Sequence, residues 1–488
     1  MDINCVRAHA LEMTCILARV LATMLATVCA PILFVAGCQT YAPRPLTLDA
    51  HQEAFLSRTL EGGDVASFAE KLDAINDGEP SAFDLADGIT LGEAECVALV
   101  FNQELRVARL RAGVTRATAD NAGLWDDPVL GFDLTRLLGG AGQAWEAFGS
   151  VALTLPLSGR LEVEIAKAEV AHRAQLARIA EQEWNVRIAL RQAWTQRAAL
   201  ATECEATQEF LTRLDEIIRI VESLEAVGEI SRTQANLFRV ERAMQRAAQL
   251  ERIAQMARAD LDIRAVLGVP PRAALVLADS SLASALAPTA PANLAESNLE
   301  LRALSLEYEV AERTLEEAIR AQYPDLTIIP GYGTQDGDSQ FVLGLSAPLA
   351  IFNGNRSEIA QARAEREVAQ GSIEGALERL LNDFAQAEVL LIAATARRES
   401  IELELIPLVD EQYAQVRAIA ERGEVDALLM LESLARQQEA KLLLIAALRD
   451  EVLAQIRQTQ IPGPTTPSSN SSNSTNSSNS TTSEEPRS

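Results

Sequence analysis

From Leu161 to Val227 the chain contains neither glycine nor proline, and after Gly228 the same holds from Glu229 to Leu267. Apolar residues recur there at three- and four-residue steps, as in Leu176, Ile179, Ala180 and Trp184, or Leu214, Ile217, Ile218 and Val221. That period belongs to a helix with one apolar stripe. An unbroken helix over the first run would reach roughly 100 Å at about 1.5 Å per residue. No compact globule needs such a rod, so the chain is expected to form a long antiparallel helical pair turning at Gly228.

The second half repeats the plan. Asn293 to Gln322 reads as a helix matching Leu91 to Leu124, a long helical stretch follows Asn353-Gly354-Asn355 as far as Arg422, and Val425 to Ile456 returns. Gly371, Gly375 and Pro407 predict bends in this copy. Pro128 and Pro324 are 196 positions apart, Gly159 and Gly354 are 195 apart, and so are Gly228 and Gly423. Three landmarks with nearly one offset point to an internal duplication.

Each copy interrupts its helices with a segment of period two. Leu130, Phe132 and Leu134 alternate with Gly131, Asp133 and Thr135; Val151, Leu153 and Leu155 alternate with Ala152 and Thr154; Phe341, Leu343 and Leu345 alternate with Val342, Gly344 and Ser346. Strands are expected at about 129–137, 148–157, 325–334 and 339–349. Their length and their one apolar face suit transmembrane β-strands. Trp125, Trp145, Phe148, Tyr323 and Tyr332 fall at or near the expected strand ends, where aromatic girdles belong. Four strands cannot enclose an open lumen, because lipid forbids open edges and even eight-stranded barrels fill with side chains. If the hairpins span a membrane, several chains must share one barrel. Two soluble hairpins capping a helical bundle are the alternative.

A formal net charge of −26 argues against nucleic-acid binding. The six cysteines (5, 15, 29, 38, 96 and 204) include no CxxC pair, and the histidines are 9, 51 and 172. Together with the lack of a phosphate-cradling glycine loop or an obvious triad, this argues against a zinc site, a Cys-His nucleophile or an enzyme, and implies no cofactor. Cys96 and Cys204 are compatible with a disulfide or with two free thiols.

Arg7 and Arg19 precede an apolar run from Val20 to Gly37 that ends in small residues before Cys38, the layout of a secretory signal peptide over 1–37. Whether translation begins at Met1 or Met13 is open. The "VAGC" at 35–38 resembles a bacterial lipobox, which implies a diacylglyceryl anchor on Cys38, and Gln39 resembles lipoproteins sorted to the outer membrane. The remaining divisions are an anchor segment at 38–90, a first repeat at 91–267, a Pro/Ala/Ser connector at 268–292, a second repeat at 293–460, and a Ser/Asn/Thr-rich tail at 461–488 whose composition predicts disorder.

Taken in order, a lipobox and then twice a short helix, a β-hairpin, a very long helix, a Gly-Glu turn and a returning helix resemble the TolC-like outer-membrane efflux proteins over about residues 85 to 460. "PLSGRLEVEIAKA" and "PLAIFNGNRSEIAQA" resemble that family's strand-to-helix junctions, and "PLVDEQYAQVRAIAERG" its helix leading into the second tip. The resemblance implies a mainly α fold with membrane β, a homotrimer with a twelve-stranded barrel on an α-helical tunnel, and passive export of substrates delivered by an inner-membrane pump through a periplasmic adaptor. It implies that Gly228, Glu229, Ile230, Gly423, Glu424 and Val425 form adaptor-docking tips, with Glu229 and Glu424 opening the returning helices. Glu432, helped by Asp426, would make an acidic pore gate; Leu429 stands where the family often has a further carboxylate. A periplasmic helical adaptor is the alternative function, although adaptors carry one such hairpin and this chain has two.

Overall fold

The computed structural model describes residues 41–59, 65, 67–68, 88–136, 145–278, 294–335, 338–422 and 426–464. The lipobox with Cys38, the second tip at 423–425 and the chain after 464 lie outside the described residues. Residues 1–57 form one unit, whose described element is the nine-residue helix α1 (Leu48–Leu56). Residues 58–488 form the other, and all that follows concerns it.

It is mostly helical, with one small antiparallel sheet. In chain order come α2 (Leu91–Phe101), α3 (Gln103–Asp120), β1 (Val129–Arg136), β2 (Trp145–Leu155), α4 (Arg160–Val227) and α5 (Arg232–Leu267). Then follow α6 (Leu294–Ser297), α7 (Leu299–Arg320), β3 (Leu326–Gln335), β4 (Asp338–Ser346), α8 (Arg356–Ser400), a π-helical segment at Ile401–Leu405, α9 (Ile406–Glu421) and α10 (Ala427–Gln460). The 68 residues of α4 form one unbroken helix, about 100 Å long. It packs against α3, α5, α7 and α10, while α8 packs against α7 and α10. Salt bridges of Lys167 with Glu317 and of Arg178 with Glu307 tie α4 to α7 along their polar flanks. Glu307 and Glu181 together hold the Arg178 guanidinium above its ordinary range, with the Glu307 hydrogen bond as the largest cause.

Two expected helices are each divided by an asparagine. The stretch read as Leu91–Leu124 breaks at Asn102, and that read as Asn293–Gln322 breaks at Asn298, 196 positions on. Asn102 Oδ1 accepts from the Glu104 and Leu105 amides while its Nδ2 donates to the Val266 carbonyl at 2.9 Å. Likewise Asn298 Oδ1 accepts from the Leu301 amide and its Nδ2 donates to the Ile461 carbonyl at 2.6 Å. Each side chain therefore caps the helix that follows it and holds the end of a returning helix. Gly268 (φ +70) and Gly463 (φ +85), 195 apart, turn the chain beside these clamps, where an added Cβ would meet the Phe101 and Ser297 carbonyls.

The core around the first clamp contains Val97, Leu99, Leu105, Leu190, Trp194, Ile263 and Leu267; that around the second contains Leu294, Leu301, Leu380, Ala387 and Ile461. Fully burying each such Leu stabilises the fold by about 2 kcal/mol.

Of the expected bends, Gly371 and Gly375 lie inside the continuous α8, where no atom crowds either position. The interruption is the π segment immediately before Pro407. Proline has no N–H and its ring collides with the carbonyl four residues back, and widening the preceding turn relieves both problems. No disulfide joins Cys96 and Cys204, which removes that alternative; burial raises the Cys204 pKa.

Candidate functional site

The four strands pair in the order β1-β2-β3-β4, all antiparallel, so the two hairpins join side by side through β2 and β3. β2 begins at Trp145 rather than near 148, because Trp145 and Glu146 still pair with Arg136 and Thr135. The register gathers Leu130, Phe132, Leu134, Val151, Leu153, Ile328, Pro330, Tyr332, Phe341, Leu343 and Leu345 on one face. Leu130 and Phe132 are each 73% exposed, and Phe341 is 68% exposed. Glycine, serine, threonine and glutamine dominate the other face, where Thr154 and Thr327 hydroxyls meet at 3.2 Å across β2 and β3, and Asp133 and Glu146 add carboxylates. In a chain by itself, so large a bare apolar surface needs a covering.

Two details on the sheet were not legible from alternation. Pro330 sits in an interior strand, and the β2–β3 ladder lapses opposite it: pairing passes from Ser150↔Gly331 to Leu153↔Ile328. The missing proline N–H accounts for that gap. Phe148 is not at a strand end but in mid-strand, on the polar face, where its ring occupies the space a Cβ at Gly331 or Gly333 would need. Trp125, Tyr323 and Tyr332 are exposed.

At the far end of α4, Gly228 takes φ +84. Its amide donates to Glu225 O and the Glu229 amide to Leu224 O, closing a Schellman cap. Glu229 does not open α5. It lies exposed in the turn, and Ser231 is the N-cap, in a reciprocal capping box with Gln234. Ile230 packs inward on a tip core that includes Phe210, Leu214, Phe238 and Leu434. Among the described residues of this tip, Val227 presents an apolar side chain, 73% exposed, that the sequence analysis did not single out.

Gly423, Glu424 and Val425 lie outside the described residues. Asp426 is the N-cap of α10, its Oδ1 accepting from the Leu428 and Leu429 amides at 3.0 and 3.2 Å. That fixes its carboxylate at a helix terminus, where the dipole favours negative charge. Glu432 is exposed and makes no ion pair among the described residues, and Leu429 is 37% exposed. The structure thus brings Asp426 and Glu432 to the same end of α10 without placing either against a pore.

Among the described residues no cluster of His, Cys, Asp and Glu could hold a metal ion, and no helix is long and apolar enough to cross a membrane.

The sequence matches no protein-family model and no curated protein. Solved structures match strongly. The outer-membrane channel OprN superimposes with a TM-score of 0.67 at 18% identity, over 88% of this chain and 98% of that one. The outer membrane protein VceC of Vibrio cholerae gives 0.65 at 17%, over 76% and 96%. The MtrE outer membrane channel of Neisseria gonorrhoeae, in its open state, gives 0.62 at 16%, over 76% and 89%. The chain has the TolC-like outer-membrane-channel fold. In this fold the paired hairpins and the long helices belong to one continuous architecture.

Proposed function

We propose that the protein is a lipid-anchored outer-membrane channel of a tripartite efflux system, a passive exit duct for substrates that an inner-membrane pump delivers through a periplasmic adaptor. One observation carries this reading: a four-stranded sheet with one apolar and one polar face is joined directly to long helices, one of them about 100 Å long. Helices of that length suit a tunnel across the periplasm, and strands of 8 to 11 residues suit a membrane crossing. The sheet's outer strands, β1 and β4, each have a neighbour on one side only among the described residues. Lipid would not tolerate those edges, and three chains joined β4 to β1 remove them in a barrel of twelve strands.

The duplication reading is supported by the matching clamps at Asn102 and Asn298, the matching left-handed helix starts at Gly159 and Asn355, and the matching turns at Gly268 and Gly463. In this proposal the leader is removed at 37, Cys38 carries the lipid, and Val227, Gly228 and Glu229, with residues 423–425, form the surface that meets the adaptor. Glu432 gates cations, and Asp426 adds fixed charge beside it.

Conductance of the detergent-purified protein in a planar bilayer tests the reading, wild type beside Glu432→Gln. Cation-selective openings whose selectivity weakens in the variant are expected. Openings unchanged by the substitution would retain the channel and remove the gate. A monomer that stays soluble without detergent and never conducts would overturn the barrel.

A further inference from the structure

Near the sheet four helices form a row, α3 on α4, α4 on α7 and α7 on α8, which leaves α3 and α8 each with one uncovered side. Ala108 and Ala112 turn α3 toward Ile179 of α4, and its opposite side carries Leu110 and Val114, 68% and 66% exposed, beside exposed Val107. Ile373, Leu377 and Leu380 turn α8 toward Leu301 and Leu304 of α7, and its opposite side carries Ala364, Val368, Gly371 and Gly375, all exposed. Glycine inside a helix lowers its stability. Neither of these two bends α8, and nothing lies within 4 Å of a Cβ at either, so the pair serves no packing within the chain.

The two halves of the chain indicate what fits there. α7 repeats α3 at an offset of 196, as Asn102 and Asn298 show. α8 repeats α4 at 194, because Ile179 shares a cluster with Ala108 as Ile373 does with Leu304. The side of α7 that corresponds to the bare side of α3 is covered by α4: Leu306 and Arg302 of α7 border one cleft of about 470 Å³ with Arg173, Ala177 and Ala180 of α4. Carried over by the two offsets, Leu306 becomes Leu110 and Ala177 becomes Gly371, while Arg302 becomes Arg106, and Arg173 and Ala180 become Glu367 and Glu374. The repeated contact therefore sets an arginine against two carboxylates and a leucine against a glycine. Arg106, Glu367 and Glu374 are exposed and make no ion pair among the described residues.

We infer that the bare side of α3 takes α8 of a second copy of this chain, with Leu110 seated in the notch between the partner's Gly371 and the partner's Gly375, and Arg106 beside the partner's Glu367 and the partner's Glu374. This rests on the reading above that copies share one barrel, and it adds which helices meet and in what register. Two glycines one turn apart open a groove that a larger side chain of a facing helix fills. The arginine opposite two carboxylates selects the partner and fixes its level along the helix. Because α3 and α8 present different surfaces, the contact is head-to-tail and repeats from copy to copy until a ring closes.

Site-directed cross-linking of the full-length detergent-purified protein tests it, in a background with Cys96→Ser and Cys204→Ser. Leu110→Cys combined with Gly371→Cys should give covalent dimers and trimers under a short thiol-specific cross-linker. A link within one chain is excluded, because α4 and α7 stand between the two positions. Leu110→Cys combined with Leu390→Cys, roughly 28 Å further along α8, should leave single chains. Gly371→Leu fills the notch without crowding its own chain; it should raise the monomer fraction in light scattering about tenfold, and adding Leu110→Ala should restore assembly. Assembled protein that does not cross-link through 110 and 371, or that tolerates Gly371→Leu, overturns the register and leaves the shared barrel standing. Protein that stays monomeric in light scattering overturns both.

Discussion

Phe148 and Gly333 face one another across β2 and β3, and the glycine exists in that register because the phenyl ring lies where its side chain would be. A Cβ at Gly333 would stand 2.5 Å from Phe148 Cδ2 and 2.6 Å from the Ala147 carbonyl; one at Gly331 would stand 2.4 Å from Phe148 Cζ, with its nearest backbone atom at 3.1 Å. Overpacking of this kind typically costs about 1–3 kcal/mol. Gly331→Ala should therefore destabilise the sheet, and Phe148→Ala in the same chain should remove most of that penalty. Gly333→Ala should stay destabilising even with Phe148→Ala, because the backbone contact persists. A double-mutant cycle on thermal unfolding in detergent reads both, and additive penalties at Gly331 would show that the ring is not the cause.

The asparagine clamps make a paired prediction. Asn102→Ala and Asn298→Ala each lose a helix cap and leave a returning helix's carbonyl without its donor, a loss of about 1–2 kcal/mol. Asn→Asp at either site keeps the cap acceptor but not the donor, and should fall between wild type and alanine. Denaturant midpoints at neutral pH check the order.

Left-handed glycines should not be equivalent. Gly228 and Gly268 both have positive φ, yet nothing lies within 4 Å of a Cβ at Gly228, whereas one at Gly268 would sit 2.2 Å from the Phe101 carbonyl oxygen. Gly228→Ala should cost about 1–2 kcal/mol from backbone conformation alone. Gly268→Ala adds a backbone collision and should lower the melting temperature several degrees further.

Glu209 of α4 is held below the ordinary glutamate range chiefly by its hydrogen bond from Lys441 of α10. Its folded pKa being lowered, the stability it contributes is fully present above its unfolded value and is lost as pH falls through its folded one. Lys441→Met should consequently lower the unfolding midpoint at pH 7 by a small amount, and the gap between wild type and variant should close in acid below the carboxylate range. A gap that persists there would assign the Lys441 contribution to packing of its alkyl stem instead.

Helix positions and the first tip could be read from the sequence because they depend on local chemistry. Long stretches without glycine or proline propagate helix, Gly228 permits the left-handed cap, and alternation at 130–134 and 341–345 marks the two-sided strands. The Ser231 capping box is legible in the sequence, with Gln234 at the right spacing, and it, rather than Glu229, opens the returning helix. The asparagine breaks were harder to find, because Asn102 and Asn298 look like ordinary helix-interior polar residues until the carbonyls of Val266 and Ile461 arrive from more than 160 positions away. Ile230 has a similar history: as an apolar residue in a turn it reads as a docking contact, and the tip core contributed by α4, α5 and α10 takes it inward.

By itself the sequence determined which segments are helix, which are strand and where the chain reverses, for these follow from propensity and period over neighbouring residues. Only the tertiary structure decided that the hairpins join through β2 and β3, that Phe148 belongs to the polar face, and that one long helix is unbroken while the other carries a π turn. Each of those depends on which distant backbone lies alongside, and no local pattern encodes that.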